Sequence, residues 1–419
     1  MISKHFTSIL LFLSLGIFLF GSGYMLGEYK TKRGLQNRPS YNVFNTASDK
    51  SQQIKDVDFQ LFWDTWDKIE KKYVDKKKIA PQKMYYGAIK GMVASVDDPY
   101  TFFLTPDENK QSKDDLGGKF EGIGAQLGLK SNKIVVIAPL KNSPAEKAGI
   151  KSGDFIIKVN NESVKGWSLI QAVSKIRGPK GTKVKIAFER NGKEFEVELT
   201  RDQIRVSSVD LSYESKRDCA ANCQKIAYLK LNQFGENTND EWDKTIAEIQ
   251  NNWAKKEIKG MVLDLRNNPG GYLESAVYLA SEFLPEGKLI VKQESTIEQT
   301  RNYNVMRSGK LQDIPLTILI NKGSASASEI LSGALRDYKR ATLVGEKSFG
   351  KGSVQEALDL KDGAGLHVTV AKWILPMGDW INAKGIEPQI KVENQPKEGE
   401  TMTKETDDQL EKAIEEVLK

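Results

Sequence analysis

The amino-acid sequence predicts a mixed α/β (α+β) protein of several domains: a layered α/β core, a separate β-rich module and a membrane segment at the N-terminus. Apolar runs of strand length alternate with helical patterns from about residue 225 onward, which indicates the core. Residues 113–202 consist mostly of short strands between Gly, Asn and Pro turns, which indicates the module. With 419 residues, the chain is long enough for two or three domains.

Residues 1–29 are predicted to form a membrane anchor or a signal segment. Lys4 and His5 precede a largely apolar run over residues 9–26, which is at the short end of a membrane span and longer than many signal-peptide cores. No clean Ala-x-Ala cleavage signal follows, so an uncleaved anchor is favoured and a cleaved signal peptide is the alternative. Either one predicts that the rest of the chain lies outside the cytoplasm, in a periplasmic or extracellular location.

The polar residues 30–54 predict a flexible spacer, and residues 55–112 predict an N-terminal helical segment. Apolar side chains recur at helical spacing in the first part of this segment, and we expect them to belong to a core. They are Phe59, Leu61, Phe62, Trp66, Ile69 and Tyr73. A second helix is predicted over residues 85–96, and residues 105–108 have the form of a capping box that begins a third.

Strands and helices are predicted both in the β-rich module and in the core. In the module, strands are predicted at 134–137, 155–159, 183–188 and 194–200, with helices at 143–149 and 168–176. In the core, residues 203–395, strands are predicted at 226–231, 261–265, 316–320, 341–344 and 366–373, with helices at 241–252, 273–283 and 327–338. Residues 396–419 are predicted to be a C-terminal tail with a helix over 407–418.

Charge and cysteine content narrow the function classes. The net charge of +6 is spread along the chain without a basic stripe interleaved with aromatic residues, which argues against a nucleic-acid partner. Cys219 and Cys223 are the only cysteines, and their spacing suits a small disulfide in an oxidising compartment. A zinc half-site is the alternative, but the sequence has no second pair and no nearby histidine to complete it.

Ser326 is the first candidate for chemistry. A buried strand at 316–320 runs through a Gly-Ser-Ala-Ser-Ala-Ser-Glu stretch into a helix, which places Ser326 at the helix N-terminus. Unpaired N–H groups and the positive end of the helix dipole can stabilise an oxyanion there. Taken alone, Ser324 and Ser326 are better explained as helix N-caps than as catalytic residues, because serine is a common N-cap.

Lys351 gives Ser326 a possible base. The chain has only two histidines, and because His5 lies in the apolar leader, a Ser-His-Asp triad would have to use His367. Lys351 stands between two glycines, and a lysine can act as a base if burial lowers its pKa by about 3 units, which corresponds to roughly 4 kcal/mol. Gln355, four residues later, could accept a hydrogen bond from the amine, although an ordinary strand residue is the alternative.

A third element is the loop at residues 267–271, which joins a strand to a helix and ends in Gly270 and Gly271. Two glycines at such a junction can present backbone N–H groups to a developing negative charge. A tight turn without a catalytic role is the alternative.

Together these motifs resemble the carboxyl-terminal processing (tail-specific) peptidases, which are Ser/Lys-dyad serine endopeptidases with an embedded PDZ domain. The resemblance rests on residues 143–149, 264–271, 323–329 and 349–355 and covers roughly residues 55–395. It implies a ClpP/crotonase-like core, a Ser326 nucleophile, a Lys351 general base and a Gln355 that orients the lysine. It implies that the N–H groups of Ala327 and of one glycine in the Gly270–Gly271 pair hold the oxyanion.

The resemblance also implies how substrates bind. The module at residues 113–202 corresponds to the PDZ domain, which receives the C-terminal end of a polypeptide substrate. The matching loop runs from Phe120 through Gly122, Ile123 and Gly124, whose amides could bind a terminal carboxylate. Arg177 resembles the position that couples peptide binding to the protease. No metal or cofactor is expected, a homodimer is possible, and the Cys219/Cys223 insertion departs from the family pattern.

Three alternatives stay open at the level of sequence. Residues 348–351 satisfy Ser-x-x-Lys as in penicillin-interacting enzymes, but their glycine-flanked loop is a poor helix and no Lys-Thr-Gly follows. A membrane-tethered PDZ adaptor with an inactive protease fold is a second alternative, against which the intact Ser326, Lys351 and Gln355 argue. A lipid or acyl-CoA enzyme of related α/β shape is a third, against which the PDZ module argues.

Overall fold

A computed structural model describes residues 58–130, 133–140, 142–167, 169–296, 299–394 and 403–419. The predicted anchor at 1–29 and the spacer at 30–54 lie outside these residues. No helix within the described ranges is both long and apolar enough to cross a membrane. The chain divides into two units, Met1–Ala80 and Pro81–Lys419.

The described part of the first unit contains helix α1 (Gln60–Lys72) and a 3₁₀ turn at Lys76–Lys78. No side chain of α1 is buried, and Leu61 is 73% exposed. The prediction that the aromatic and aliphatic residues of this helix belong to a core is therefore wrong for this structure. The reason is that the described part of the unit has one α-helix and no second layer on which an apolar face could be buried.

The second unit contains the remaining helices and all the strands of the described residues. The helices are α2 (Pro81–Ala94), α3 (Pro106–Leu116), α4 (Pro144–Lys147), α5 (Leu169–Ile176), α6 (Thr238–Ala254), α7 (Leu273–Ala280), α8 (Ala327–Asp337) and α9 (Asp408–Val417). The strands are β1 (Phe102–Leu104), β2 (Lys119–Gly122), β3 (Ala125–Lys130), β4 (Lys133–Pro139), β5 (Phe155–Val159), β6 (Glu162–Ser163), β7 (Lys183–Arg190), β8 (Lys193–Thr200), β9 (Asp202–Arg205), β10 (Val209–Glu214), β11 (Ile226–Leu231), β12 (Met261–Asp264), β13 (Leu289–Glu294), β14 (Arg301–Asn304), β15 (Leu316–Ile320), β16 (Thr342–Gly345), β17 (Ser353–Asp359), β18 (Gly365–Ile374) and β19 (Ile390–Lys391).

The core is a six-stranded sheet in the order β10-β11-β12-β15-β16-β19, parallel except for β10. Every residue of β12 and β15 is buried, as expected for parallel strands covered on both faces. Helices α6, α7 and α8 pack on one face, and α9 covers the other. Because the carboxyl ends of parallel strands meet at one edge, the loops after β12 and β15 are neighbours.

The β-rich module contains the sheet β3-β4-β5-β7-β8, with β6 paired to β5, around a core of its own. Strands β2 and β9, at the two ends of the module, pair antiparallel to each other. Ser143 accepts a hydrogen bond from the Glu146 N–H (3.1 Å), as its predicted capping role requires. The helix it begins ends at Lys147, before Gly149, and residue 168, where the second helix was predicted to begin, lies outside the described residues.

A second sheet of the core has the order β1-β18-β13-β14, with β17 paired to β18. Of these strands only β18 was predicted from the sequence. Strand β1 is followed by α3, whose capping box at Thr105 and Glu108 is formed as predicted. This sheet carries Gln355 on β17, directly after the loop that contains Lys351, so it places the predicted base beside the parallel sheet.

Candidate active site

Ser326 stands at the junction between the loop after β15 and helix α8. Its backbone has φ 55° and ψ −116°, an angle pair that L-residues rarely adopt and that costs of order 1–3 kcal/mol. The hydroxyls of the neighbouring serines serve the fold: Ser324 donates to the Leu265 carbonyl (2.8 Å) and Ser328 to the Asn268 carbonyl (3.0 Å). Ser326 lines an open cleft, so it is the serine of this cluster that a substrate can reach.

Glu329, one turn into α8, ties the serine loop to the lysine loop. Its side chain is fully buried and accepts four hydrogen bonds. The Ser326 N–H (2.9 Å) and the Lys351 N–H (3.0 Å) both donate to Oε2, while the Ser348 hydroxyl (2.6 Å) and the Gly350 N–H (2.7 Å) donate to Oε1. Burial raises the pKa of the Glu329 carboxyl, and these hydrogen bonds oppose part of that rise.

Lys351 lies between two glycines because other chain segments approach the loop closely on both sides. A Cβ on Gly350 would lie 2.8 Å from the Gly385 nitrogen, and one on Gly352 would lie 2.7 Å from the Asn382 nitrogen. The Lys351 amine lies 5.0 Å from the centroid of the Tyr100 ring. Burial lowers the pKa of this amine, which is the direction a general base needs, and the negative charges of Asp98 and Glu329 oppose part of the drop.

The two glycines of the loop at residues 267–271 differ in whether their N–H groups are already hydrogen-bonded. The Gly270 N–H donates to Asn268 Oδ1 (2.9 Å), so it is already used within the loop. Among the described residues, the N–H groups of Gly271 and Ala327 have no acceptor. Of the two glycines predicted for an oxyanion hole, Gly271 is therefore the one that can donate together with Ala327.

The predicted residues meet in one cleft of about 820 Å³. Its lining includes Gly270, Gly271, Ser326, Lys351 and Gln355. The Gln355 amide nitrogen donates to the hydroxyls of Ser353 (2.8 Å) and Thr369 (3.2 Å), and the described residues show no bond from the Lys351 amine to the Gln355 oxygen. The structure thus brings the serine, the lysine and the glycines together, and the orienting role of Gln355 stays a prediction.

His367, the alternative base, also lines this cleft. Its ring stacks on Phe102 with centroids 4.7 Å apart and planes 15° from parallel. Burial lowers the pKa of His367, and the positive charge of Lys351 lowers it further. The shortage of histidines in the sequence does not by itself exclude His367 as the base.

The predicted peptide-binding loop connects β2 to β3. Among the described residues, the N–H groups of Ile123 and Gly124 have no acceptor, while their carbonyl oxygens accept from Ala145 (2.8 Å) and Leu140 (2.8 Å). Two free amides in consecutive residues can donate together to one carboxylate. Gly122 precedes them as the last residue of β2.

Arg177, directly after α5, connects the module to the cleft. Its guanidinium lies 4.7 Å from the centroid of the Phe120 ring and 3.1 Å from the Asp115 carboxylate at the end of α3. Phe120 and Asp115 both line the cleft that contains Ser326. The two predicted cysteines, Cys219 and Cys223, form a disulfide in the connection between β10 and β11 and do not line this cleft.

Sequence reasoning missed Glu329 as a functional residue. The sequence does contain a pattern that points to Glu329, because this residue stands three positions after Ser326, at the spacing of a capping box. That spacing predicts only the bond to the Ser326 N–H. The three bonds to residues 348–351 depend on the packing of a distant loop.

The fold and this site define the class: a serine peptidase core that carries a PDZ module. The peptidase family S41 model matches residues 225–392, a PDZ domain model matches 135–190, and the model of the N-terminal domain of the activating protease CtpB matches 18–108. The chain belongs to peptidase family S41 and is a carboxy-terminal processing serine protease.

Individual relatives agree with this assignment. The chain is 39% identical over 347 residues to the carboxy-terminal processing protease CtpA of Bacillus subtilis strain 168, which covers 82% of this chain and 71% of the relative. It is 38% identical over 334 residues to CtpB of the same organism, covering 78% and 67%. Among solved structures, the photosystem II D1 C-terminal processing protease is similar at 31% identity with a TM-score of 0.51, covering 80% of this chain and 92% of that one.

Proposed function

We propose that this protease is an endopeptidase that holds the C-terminal end of an unfolded or partly unfolded polypeptide in its PDZ module and cleaves it with a Ser326/Lys351 dyad. The observation that carries the proposal is the shared acceptor: one oxygen of the buried Glu329 binds the backbone N–H groups of both residues. A cleft-lining serine and a lysine whose pKa is lowered by burial thus stand on two loops that bind the same carboxylate oxygen.

The chemical steps follow from these positions. The neutral Lys351 amine takes the proton of the Ser326 hydroxyl as Oγ attacks the carbonyl carbon of the scissile peptide. The negative charge that develops on the carbonyl oxygen is stabilised by the N–H groups of Gly271 and Ala327. When the C–N bond breaks, Lys351 returns the proton to the leaving amine, which leaves an acyl-enzyme on Ser326. Lys351 then takes a proton from the water that attacks the ester carbon and gives it to Ser326 Oγ as the acyl C–O bond breaks, which releases the product acid and restores the neutral amine. Gln355 orients the amine.

Substrate capture is proposed to use the edge of the module. Strand β3 is the first strand of its sheet and so offers an edge to which an extended peptide can add. The amides of Ile123 and Gly124 would bind the terminal carboxylate, and α5 would form the opposite wall. If peptide binding shifts β2, we expect Arg177 to move with it. The contacts of Arg177 with Phe120 and Asp115 would then pass this movement to the catalytic cleft.

We further propose that residues 1–29 anchor the enzyme in the cell membrane and that its catalytic part is extracytoplasmic. The apolar leader and an exposed disulfide between Cys219 and Cys223 support this location, since disulfides persist in oxidising compartments. A ClpP/crotonase-like core and a homodimer are part of the same proposal.

The test is to incubate the full-length chain in detergent with an unfolded polypeptide and to follow the products by mass spectrometry. Ser326→Ala should release no fragments, yet it should bind a peptide with a free C-terminus as tightly as the wild type. Turnover by Ser326→Ala would overturn the nucleophile assignment. A wild-type protein that binds such peptides but cleaves nothing would favour the adaptor.

A further inference from the structure

A buried cluster of charges joins the C-terminal helix to the root of the glycine loop. The Arg266 guanidinium makes two bonds to the Asp407 carboxylate, both of 2.8 Å, and also binds Asp264, with a shortest distance of 2.6 Å. The side chains of Arg266, Asp407 and Asp264 are 10%, 9% and 2% exposed. Paired bonds in so dry an environment fix an arginine in place.

Arg266 is the residue from which the glycine loop begins. It stands two residues after the end of β12, and its own N–H donates to Asp264 (2.9 Å). Two residues later, the Asn268 carbonyl accepts the Ala325 N–H (3.1 Å), and Asn268 Oδ1 accepts the Gly270 N–H (2.9 Å). Arg266 is thus connected through a short stretch of backbone to the residues that position the Gly271 amide.

Asp407 is also bonded to helix α9, apart from its bonds to Arg266. Its Oδ1 accepts the Leu410 N–H (3.0 Å) as the helix N-cap. Apolar residues of α9, including Leu410, Ile414 and Val417, pack against Val262, Leu319 and Val344 of the parallel sheet. Burial raises the pKa of Asp407, but the Arg266 guanidinium and the hydrogen bonds from Leu410 and Asn394 together hold the pKa below its usual value. Asp407 is thus a fixed negative charge at neutral pH.

We infer that Asp407 is a positioning residue for the oxyanion hole, and that α9 acts through the Asp407–Arg266 pair to set the Gly271 N–H against the reacting carbonyl. This rests on the proposed function, because it assumes that Gly271 donates to the oxyanion. A part of the chain more than 130 residues from the glycine loop would then control the rate of the chemical step and leave peptide capture unaffected.

The test compares Asp407→Asn with Asp408→Asn in the full-length enzyme. Asparagine keeps the size of the side chain and one oxygen for the helix cap, and Arg266 keeps Asp264 as a counter-charge, so Asp407→Asn removes the charge opposite Arg266 and one of the two acceptor oxygens that bind it. Asp408 is the matched control, since it lies at the start of the same helix but pairs at the surface with Arg217 (3.2 Å) and is 66% exposed.

Asp407→Asn should lower kcat about 10-fold, since a small misplacement costs less than the loss of an oxyanion-hole donor. KM and the affinity for a C-terminal peptide should not change. A peptide aldehyde, which forms a tetrahedral adduct with a serine nucleophile, should bind more weakly by the same factor as kcat falls. Asp408→Asn should match the wild type in all four measurements.

A further variant separates positioning from stability. Val417→Ala loosens the packing of α9 on the sheet without touching the ion pair, so it should lower Tm and leave kcat unchanged well below Tm. The inference is overturned if Asp407→Asn keeps the wild-type kcat, if aldehyde affinity does not fall with kcat, if Val417→Ala lowers kcat as much, or if Asp407→Asn does not fold. In each case an inactive Ser326→Ala leaves the dyad assignment standing.

Discussion

Ser326 and Lys351 donate their backbone N–H groups to the same carboxylate oxygen, Oε2 of Glu329, at 2.9 Å and 3.0 Å. The two residues are 25 positions apart in sequence: Ser326 follows β15 of the parallel sheet, and Lys351 precedes β17 of the second sheet. Their shared acceptor is fully buried. If Ser326 and Lys351 form the proposed dyad, it is assembled through backbone contacts to Glu329.

Glu329→Gln should lower kcat/KM by about 100-fold, because the side-chain NH₂ group cannot accept the N–H groups that one carboxylate oxygen now accepts. Each buried N–H group left without an acceptor costs about 1–3 kcal/mol, so Tm should fall as well. Kinetics and thermal unfolding measure both effects. The same change at Glu387, which is half-exposed in a surface ion pair with Lys347, is the control and should be nearly silent. A fully active Glu329→Gln would contradict the assembly role.

The pH dependence of kcat/KM should show an acid limb set by Lys351, because only the neutral amine can take the serine proton. Activity therefore rises with pH through the pKa of Lys351, which burial places below the usual value of a lysine. Asp98→Asn removes a negative charge that raises this pKa, so the limb should move to lower pH. A limb that stays in place or moves to higher pH would contradict the assignment.

Two further variants decide between lysine and histidine as the base. Lys351→Arg should be inactive at all pH values, because a guanidinium does not lose its proton in this range. His367→Gln should keep the acid limb and most of the activity. If His367→Gln removed the limb instead, the base would be His367.

Gly270→Ala should reduce kcat at least 100-fold. The added Cβ would lie 2.8 Å from the Ser326 Cβ and 2.9 Å from the Ala327 nitrogen, so the nucleophile and an oxyanion donor must both shift. Gly287→Ala is a matched control, since Gly287 also has positive φ (81°) but no atom within 4 Å of the new Cβ. It should lose about 1 kcal/mol of stability and keep its kcat. Equal kcat values for the two variants would show that close approach at Gly270 is unimportant.

Gly124→Ala should weaken the binding of a C-terminal peptide at least 10-fold. Gly124 has φ 72°, and a Cβ there would lie 2.3 Å from the Ser143 Cβ, so the amide donors of the loop must move. Fluorescence anisotropy with a labelled peptide measures the change. Gly166→Ala, with φ 82° and open space around the new Cβ, is the control. Unchanged affinity in Gly124→Ala would place the carboxylate site elsewhere.

Much of the fold and of the site was readable from local patterns. The buried run at β15 and the helical spacing of α8 placed Ser326 at a helix N-terminus, and the prediction that the chain belongs to the carboxyl-terminal processing peptidases is confirmed by the family comparisons. Parallel strands produce such patterns because both of their faces are buried, so their residues are uniformly apolar. Strands of the second sheet, such as β17, were missed because most of their residues are only partly buried and carry mixed polarity.

What the sequence by itself determined is which residue types can do the chemistry: a serine at a helix N-terminus, a lysine between glycines and a glycine pair after a strand. Only the tertiary structure decided how they are held. The Gly270 N–H is bonded to Asn268 within the glycine loop, which leaves the Gly271 N–H as the free donor. The bonds from the Lys351 loop to Glu329 and the pairing of Arg266 with Asp407 depend on contacts between segments far apart in the chain. Sequence patterns record local periodicity and capping, whereas these bonds arise only when burial brings distant donors to one acceptor and removes the water that would otherwise satisfy them.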